Sequence, residues 1–172
     1  MDFYIIVLRI IHILAAVFWA GTAFFLAGFL EPTTQATAPE SGKVMAHLAA
    51  KTRFSQALAW AAILVVLSGG LLYWRVSGGL NSNWLTSGTG IGLTIGAIAG
   101  IFAAGIGLSV SYPTIQKMVA LGAEIARSGG PPTAEQQQML LELQNKSRIA
   151  GQALAVLLVI ATLGMATAQY LI

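Results

Sequence analysis

Four apolar runs, each about as long as a membrane is wide or longer, decide what this chain can become. They cover residues 3–30, 57–74, 86–112 and 149–172. Crossing the hydrocarbon takes about 20 helical residues at about 1.5 Å each. Lipid offers no partner to a backbone N–H or C=O, so such runs cross as helices that satisfy their own groups. The first and third exceed the minimum and must tilt or project beyond the lipid. The sequence therefore predicts an all-α chain: an integral membrane four-helix bundle, a single transmembrane domain over residues 1–172.

Composition agrees. Hydrophobic residues make up 56% of the chain and charged residues 9%, against roughly 25% charged in soluble domains. The bilayer is the partner this implies. Cysteine is absent, which excludes disulfides, zinc-thiolate sites, thiol nucleophiles and covalent c-type haem attachment. The net charge of +3 does not suggest nucleic acid, since the basic residues sit at loop edges. Ala36-Thr37-Ala38 looks like a signal-peptidase site. The run before it is far longer than the ~7–15 residues of a signal core and its start is not basic, so it is read as a retained helix.

Arg75-Val76-Ser77-Gly78-Gly79 closes the second run, and Pro113 marks an end or a bend of the third. Loops 31–56 and 113–148 then share one side. They hold Lys43, Lys51, Arg53, Lys117, Arg127, Lys146 and Arg148, leaving only Arg9 and Arg75 toward the other. Positive residues stay inside, so both termini are predicted outside in a multi-pass protein of the cell membrane. Tyr4, Tyr73, Trp74, Trp84 and Tyr170 then fall near the outer interface, as an aromatic belt does.

The long inner loop has its own pattern. Ile115, Met118, Val119 and Ile125 recur at helical spacing, Gly129-Gly130-Pro131-Pro132 interrupts, and Thr133-Ala134-Glu135-Gln136 reads as a capping box. Glu142 and Lys146 can pair at i, i+4. The third and fourth spans are therefore expected to extend inward as a helical hairpin over about 114–148, either a solvated extension or a docking site.

The chain also resembles itself. Lys51-Thr52-Arg53-Phe54-Ser55-Gln56-Ala57-Leu58-Ala59 matches Lys146-Ser147-Arg148-Ile149-Ala150-Gly151-Gln152-Ala153-Leu154-Ala155 with one inserted residue. Glu31-Pro32-Thr33-Thr34-Gln35 resembles Tyr112-Pro113-Thr114-Ile115-Gln116, and the stretch from Ala15 to Gly21 resembles that from Ala99 to Gly105. The gap between the last two matches differs by three residues. Two transmembrane hairpins of like orientation, a tandem repeat about an axis along the membrane normal, are the expectation. His12 then faces Gly96 or Leu93 of the copy, depending on register, so symmetric packing does not require a histidine. Gly88, Gly92, Gly96 and Gly100, four apart, form a small-residue ridge suited to close helix approach. A planar cofactor lying on that ridge is the alternative.

Arg9 and His12 are the residues a simple membrane anchor would not carry. Ionisable groups in hydrocarbon are costly, face the bundle or water, and often mark function. Arg9 can snorkel to the outer surface; His12, deeper, cannot do so easily. Arg9, His12, Ala16, Trp19 and Ala23 form one stripe, mostly compact, which suits an inward face. Met165, Gln169, Thr162, Ser68 and Thr94 lie at usable depths on other spans. A histidine opposite a methionine is a haem axial pair, a lone histidine holds five-coordinate haem, and Arg9 or Arg75 can pair with propionates. The candidate cofactor site is thus His12, Arg9 and Met165, with His12 the metal ligand and haem b the cofactor. The competing reading is a neutral histidine hydrogen-bonded across helices. His47, beside Met45 in the inner loop, lies on the opposite side and reads as a surface residue. Copper transport finds little support, because Cu(I) wants Cys or clustered Met and only Met165 lies in a span.

His12 followed by Trp19-Ala20-Gly21, then Arg53-Phe54-Ser55 and Ser68-Gly69, resembles the CopD copper-resistance membrane domain and the HemJ-type protoporphyrinogen oxidases, four-helix haem-linked membrane proteins, and the end Met165-Ala166-Thr167-Ala168-Gln169-Tyr170-Leu171 is similar to the tail of small uncharacterised members of this grouping. The resemblance touches most of the chain and implies a first-span histidine, here His12, that ligates haem or metal. HemJ-type enzymes also carry a lysine in a later span; this chain has none in its third or fourth, so porphyrinogen oxidation is not carried over. The leading expectation is a redox-associated membrane protein with a haem or metal site near the outer side. A non-enzymatic accessory subunit bound to other membrane subunits or to itself is second, and a transporter of a small solute or copper is third.

Overall fold

A computed structural model describes residues 3–37 and 40–171, helical almost throughout and with no strand among them. The helices are α1 (Phe3–Ala36), α2 (Glu40–Lys51), α3 (Phe54–Val76), α4 (Ser82–Leu85), α5 (Gly88–Ser128) and α6 (Ala134–Tyr170). Of these, α1, α3, α5 and α6 are long and apolar enough to cross a membrane. The all-α four-helix membrane architecture stands. The third and fourth apolar runs are parts of helices of 41 and 37 residues, about 60 and 55 Å long against a hydrocarbon core of about 30 Å. The inner hairpin is a continuation of these spans, interrupted only between Ser128 and Ala134. Gly129, at φ +69°, caps α5 in the left-handed conformation. The Thr133 hydroxyl accepts from Gln136 N–H, and the Gln136 side chain accepts from Thr133 N–H, completing the predicted capping box. Glu142 takes Gln138 as its partner rather than Lys146.

The odd spans do not end where their prolines stand. Residues Leu26–Leu30 and Gly107–Ser111 each form one π-helical turn, and the helix then runs straight through Pro32 or Pro113. Glu31 N–H reaches back to Leu26 O, and Tyr112 N–H to Gly107 O, each five residues away. A proline inside an α-helix lacks its N–H and crowds the carbonyl four residues earlier. Widening the preceding turn relieves that crowding, so the two prolines neither stop nor break their helices.

Packing follows what lipid permits. Apolar side chains gain little by leaving lipid for protein, so helices associate through close backbone approach between small residues. The core is built from Ala61, Ala62, Ala103, Ala104, Val65, Leu154 and Leu158 around one large side chain, Trp19. Large apolar groups such as Leu14, Trp60, Leu67, Ile95, Phe102 and Val156 face outward, where the acyl chains would lie. The closest associations are α1 with α3 and α5 with α6; α3 also meets α5 and α1 meets α6, which closes the bundle.

The glycine ridge is the α5–α6 seam. A Cβ on Gly92 would meet Ala168, one on Gly96 would meet Ala161 and Met165, and one on Gly164 would stand 2.9 Å from Gly92 O and 3.0 Å from Gly96 N. The surface imagined for a planar cofactor is therefore covered by the chain's own last span. Gly100, the ridge's inner end, has open space around it.

Candidate functional site

His12 sits on the first hairpin's internal seam. Its Nδ1 lies 3.0 Å from the Val65 carbonyl oxygen and 3.2 Å from the Ser68 hydroxyl, both on α3. Ser68 is buried and donates its own proton to the Leu64 carbonyl one turn back. The imidazole rests on Gly69: a Cβ there would come within 2.8 Å of His12 Cε1 and 3.2 Å of Nδ1. The ring is half-buried.

The chemistry of Nδ1 follows from its partners. A carbonyl oxygen only accepts, and the Ser68 hydroxyl has its hydrogen committed to Leu64. Both face Nδ1 as acceptors, an arrangement that suits an imidazole protonated at Nδ1 with its lone pair on Nε2. A ligating histidine shows this arrangement, with the far nitrogen donating to a carbonyl while the near one binds. The four polar side chains and Met165 placed by sequence at this depth divide clearly. Ser68 reaches His12. Thr94 donates to Gly90 O and pairs with the Tyr73 hydroxyl. Thr162 donates to Leu158 O on its own helix. Met165 packs on Gly96, in the other hairpin, and Gln169 is exposed.

Arg9 is exposed. The packed face of α1 runs through Leu8, Ala15, Ala16, Trp19 and Ala23, so Arg9 leaves the inward stripe that the sequence assigned it, in keeping with a side chain that snorkels. Sequence reasoning also missed two parts of the seat. The Val65 carbonyl is backbone and leaves no side-chain signal. Gly69 stood in the Ser68-Gly69 pair, but only the fold shows that it faces His12.

Among the described residues no group of three or more His, Cys, Asp or Glu is placed to hold a metal ion. His47 is exposed on the amphipathic helix α2, beside a shallow hollow of about 400 Å³ lined by Val44, His47, Leu48 and Thr52. A neighbouring hollow of about 310 Å³ lies between α2 and the inner end of α1, lined in part by Thr33, Thr37 and Met45. Polar groups gather at this inner end. Arg148 acts electrostatically on Glu31, and Ser55 and Thr114 are buried. The opposite end is capped by the tight connection between α3 and α5, in which Tyr73 and Trp84 meet edge to face, ring centroids 5.4 Å apart.

Comparison of the chain with protein-family models, curated proteins and solved structures gives no match.

Proposed function

We propose that this multi-pass membrane protein binds haem b through His12 Nε2 near the outer side of the cell membrane and takes part in electron transfer. The observation that carries the reading is the engagement of Nδ1 by the Val65 carbonyl and the Ser68 hydroxyl, which leaves Nε2 as a lone-pair ligand. Haem suits the donor set better than a bare metal ion. Porphyrin supplies four nitrogens and asks the protein for one axial ligand, whereas a zinc-like ion asks for three or four protein ligands. Bound haem supplies a one-electron couple. The exposed Arg9, three residues before His12, suits a propionate near the surface. Met165, seated on Gly96, is not required by this reading. The resemblance to the CopD and HemJ-type groupings points the same way.

We read the chain as a tandem repeat with both termini outside. Both odd spans place a π turn directly before the Glu-Pro or Tyr-Pro pair. Buried positions correspond as well: Ser55 with Ala150, Ala62 with Leu158, Val65 with Ala161, Leu8 with Gly92 and Trp19 with Ala103. In that register His12 corresponds to Gly96 and Gly69 to Met165. The bulky and the small partner change places between the hairpins, and only the first hairpin presents an imidazole.

The test is a reduced-minus-oxidised absorption spectrum of protein purified gently from its native host, beside His12→Ala and His47→Ala. A Soret band lost only in His12→Ala is the expected result. Its absence from the wild-type protein would sink the reading. The accessory-subunit reading is favoured by α2, whose Val44 is 68% exposed; stoichiometric co-purification of another membrane subunit would raise it above the haem reading.

A further inference from the structure

The seat of His12 offers more than a nearby hydrogen-bond partner. Three features act on one ring. The Val65 carbonyl and the Ser68 hydroxyl both face Nδ1. The Ser68 hydrogen is held by Leu64 O, so the hydroxyl oxygen is turned toward the imidazole as an acceptor. Gly69 lies under the Cε1 corner of the ring with room for hydrogen only: a Cβ built there would stand 2.8 Å from Cε1, 3.2 Å from Nδ1 and 3.8 Å from Nε2. Flipping the ring would put a C–H against two acceptors and lose the bonds they make to Nδ1, which is costly where water is scarce. Tilting it away from α3 would break the same bonds.

We propose that Ser68 and Gly69 are positioning residues: they hold His12 against α3 as the Nδ1–H tautomer, and so select Nε2 as the ring nitrogen that keeps a lone pair for a ligand. The haem part of this statement rests on the reading above, but the tautomer does not. Ser68 sets the direction of the ring and Gly69 sets its distance from α3. Both act through His12.

Nitrogen NMR of ring-labelled histidine tests the proposal in metal-free protein held in lipid nanodiscs at neutral pH. His12→Gln identifies the His12 signals, and His47 is the internal control. A protonated Nδ1 beside an unprotonated Nε2 at His12 is expected. Ser68→Ala should move the Nδ1 resonance and leave His47 untouched. An Nε2–H tautomer, two protonated nitrogens or a Ser68→Ala spectrum unchanged at His12 would overturn it. Gly69→Ala is tested by a double-mutant cycle in thermal unfolding. Its destabilisation should vanish in the His12→Ala background if the ring is what the methyl strikes; losses that simply add would remove Gly69 from the proposal. Should Gly69→Ala fail to fold, recovery of folding on adding His12→Ala supports the same role for Gly69, and continued failure to fold removes it. In haem-loaded protein, Ser68→Ala should shift the Soret band without abolishing it. A wild-type protein with the Nδ1–H tautomer and no haem would refute the function proposed above and leave this inference intact.

Discussion

The Tyr73 hydroxyl and the Thr94 hydroxyl are hydrogen-bonded to each other, joining the C-terminal end of α3 to the N-terminal part of α5. One residue belongs to each hairpin, so the bond ties the two halves of the bundle together. Thr94 keeps a second bond to Gly90 O, while Tyr73 also presents its ring edge-on to Trp84.

Removing only the hydroxyl isolates that tie. Interhelical hydrogen bonds in membranes contribute about 0.6 kcal/mol on average. Tyr73→Phe should therefore lower stability by about 0.5–1 kcal/mol, read as the unfolding midpoint in mild detergent. Tyr73→Ala should cost clearly more, because the contact with Trp84 goes too. Equal losses for the two variants would show that the ring contributes nothing.

The glycine seam makes a contrasting pair. At Gly164 a side chain would strike the backbone of Gly92 and Gly96, and backbone cannot rotate aside. Gly164→Leu should cost at least about 2 kcal/mol or prevent assembly. At Gly100 nothing lies within 4 Å of a Cβ, so Gly100→Ala should gain about 0.5–1 kcal/mol from helix propensity alone. Thermal unfolding of both variants checks the pair, and a destabilised Gly100→Ala would mean that α6 runs closer to α5 there than described.

Leu80 is held at φ +66°, in a turn where Gly78 and Gly79 are also left-handed. The left-handed conformation costs a residue with a Cβ roughly 1–2 kcal/mol. Leu80→Gly removes that cost and loses part of the gain to unfolded-chain entropy. A net stabilisation of about 0.5 kcal/mol is expected. A clear loss in the unfolding midpoint would show that the half-exposed Leu80 side chain anchors the outer connection.

Orientation has a direct readout because the chain has no cysteine. Asn83→Cys, in the outer connection, should react with a membrane-impermeant maleimide added to intact cells. Gly130→Cys, between the long inner helices, should react only after permeabilisation. The reverse pattern would invert the proposed topology.

The four spans were legible in sequence because hydropathy over some twenty residues is a strong, local signal. The capping box at Thr133 was legible for the same reason: both partners lie within one turn. Pro113 was read as an end or a bend because proline's effect is local and negative. How the preceding turn widens to admit it depends on the helix having packing partners on both sides of Gly107–Ser111. The ridge was visible as a period of four, but helix crossing decides which glycines lie at the seam, and so Gly100 drops out. His12 was conspicuous by its chemistry. Its seat was not, since Val65 and Gly69 are separated from it by more than fifty residues and neither carries a polar side chain.

The π turns bear on phase. Each adds about one residue to a helix, and one residue is about 100° of rotation at 3.6 residues per turn. Everything inward of Leu26–Leu30 or Gly107–Ser111 is therefore turned by about that angle relative to the face that packs the bundle. Two surfaces on one continuous rod can in this way be aimed independently: Trp19 and Ala103 toward the bundle axis, Thr33 toward the hollow beneath α2 and Leu121 into its own buried contact. A single-residue deletion inside either turn would leave the membrane half packed and swing the inner half about a quarter-turn out of register.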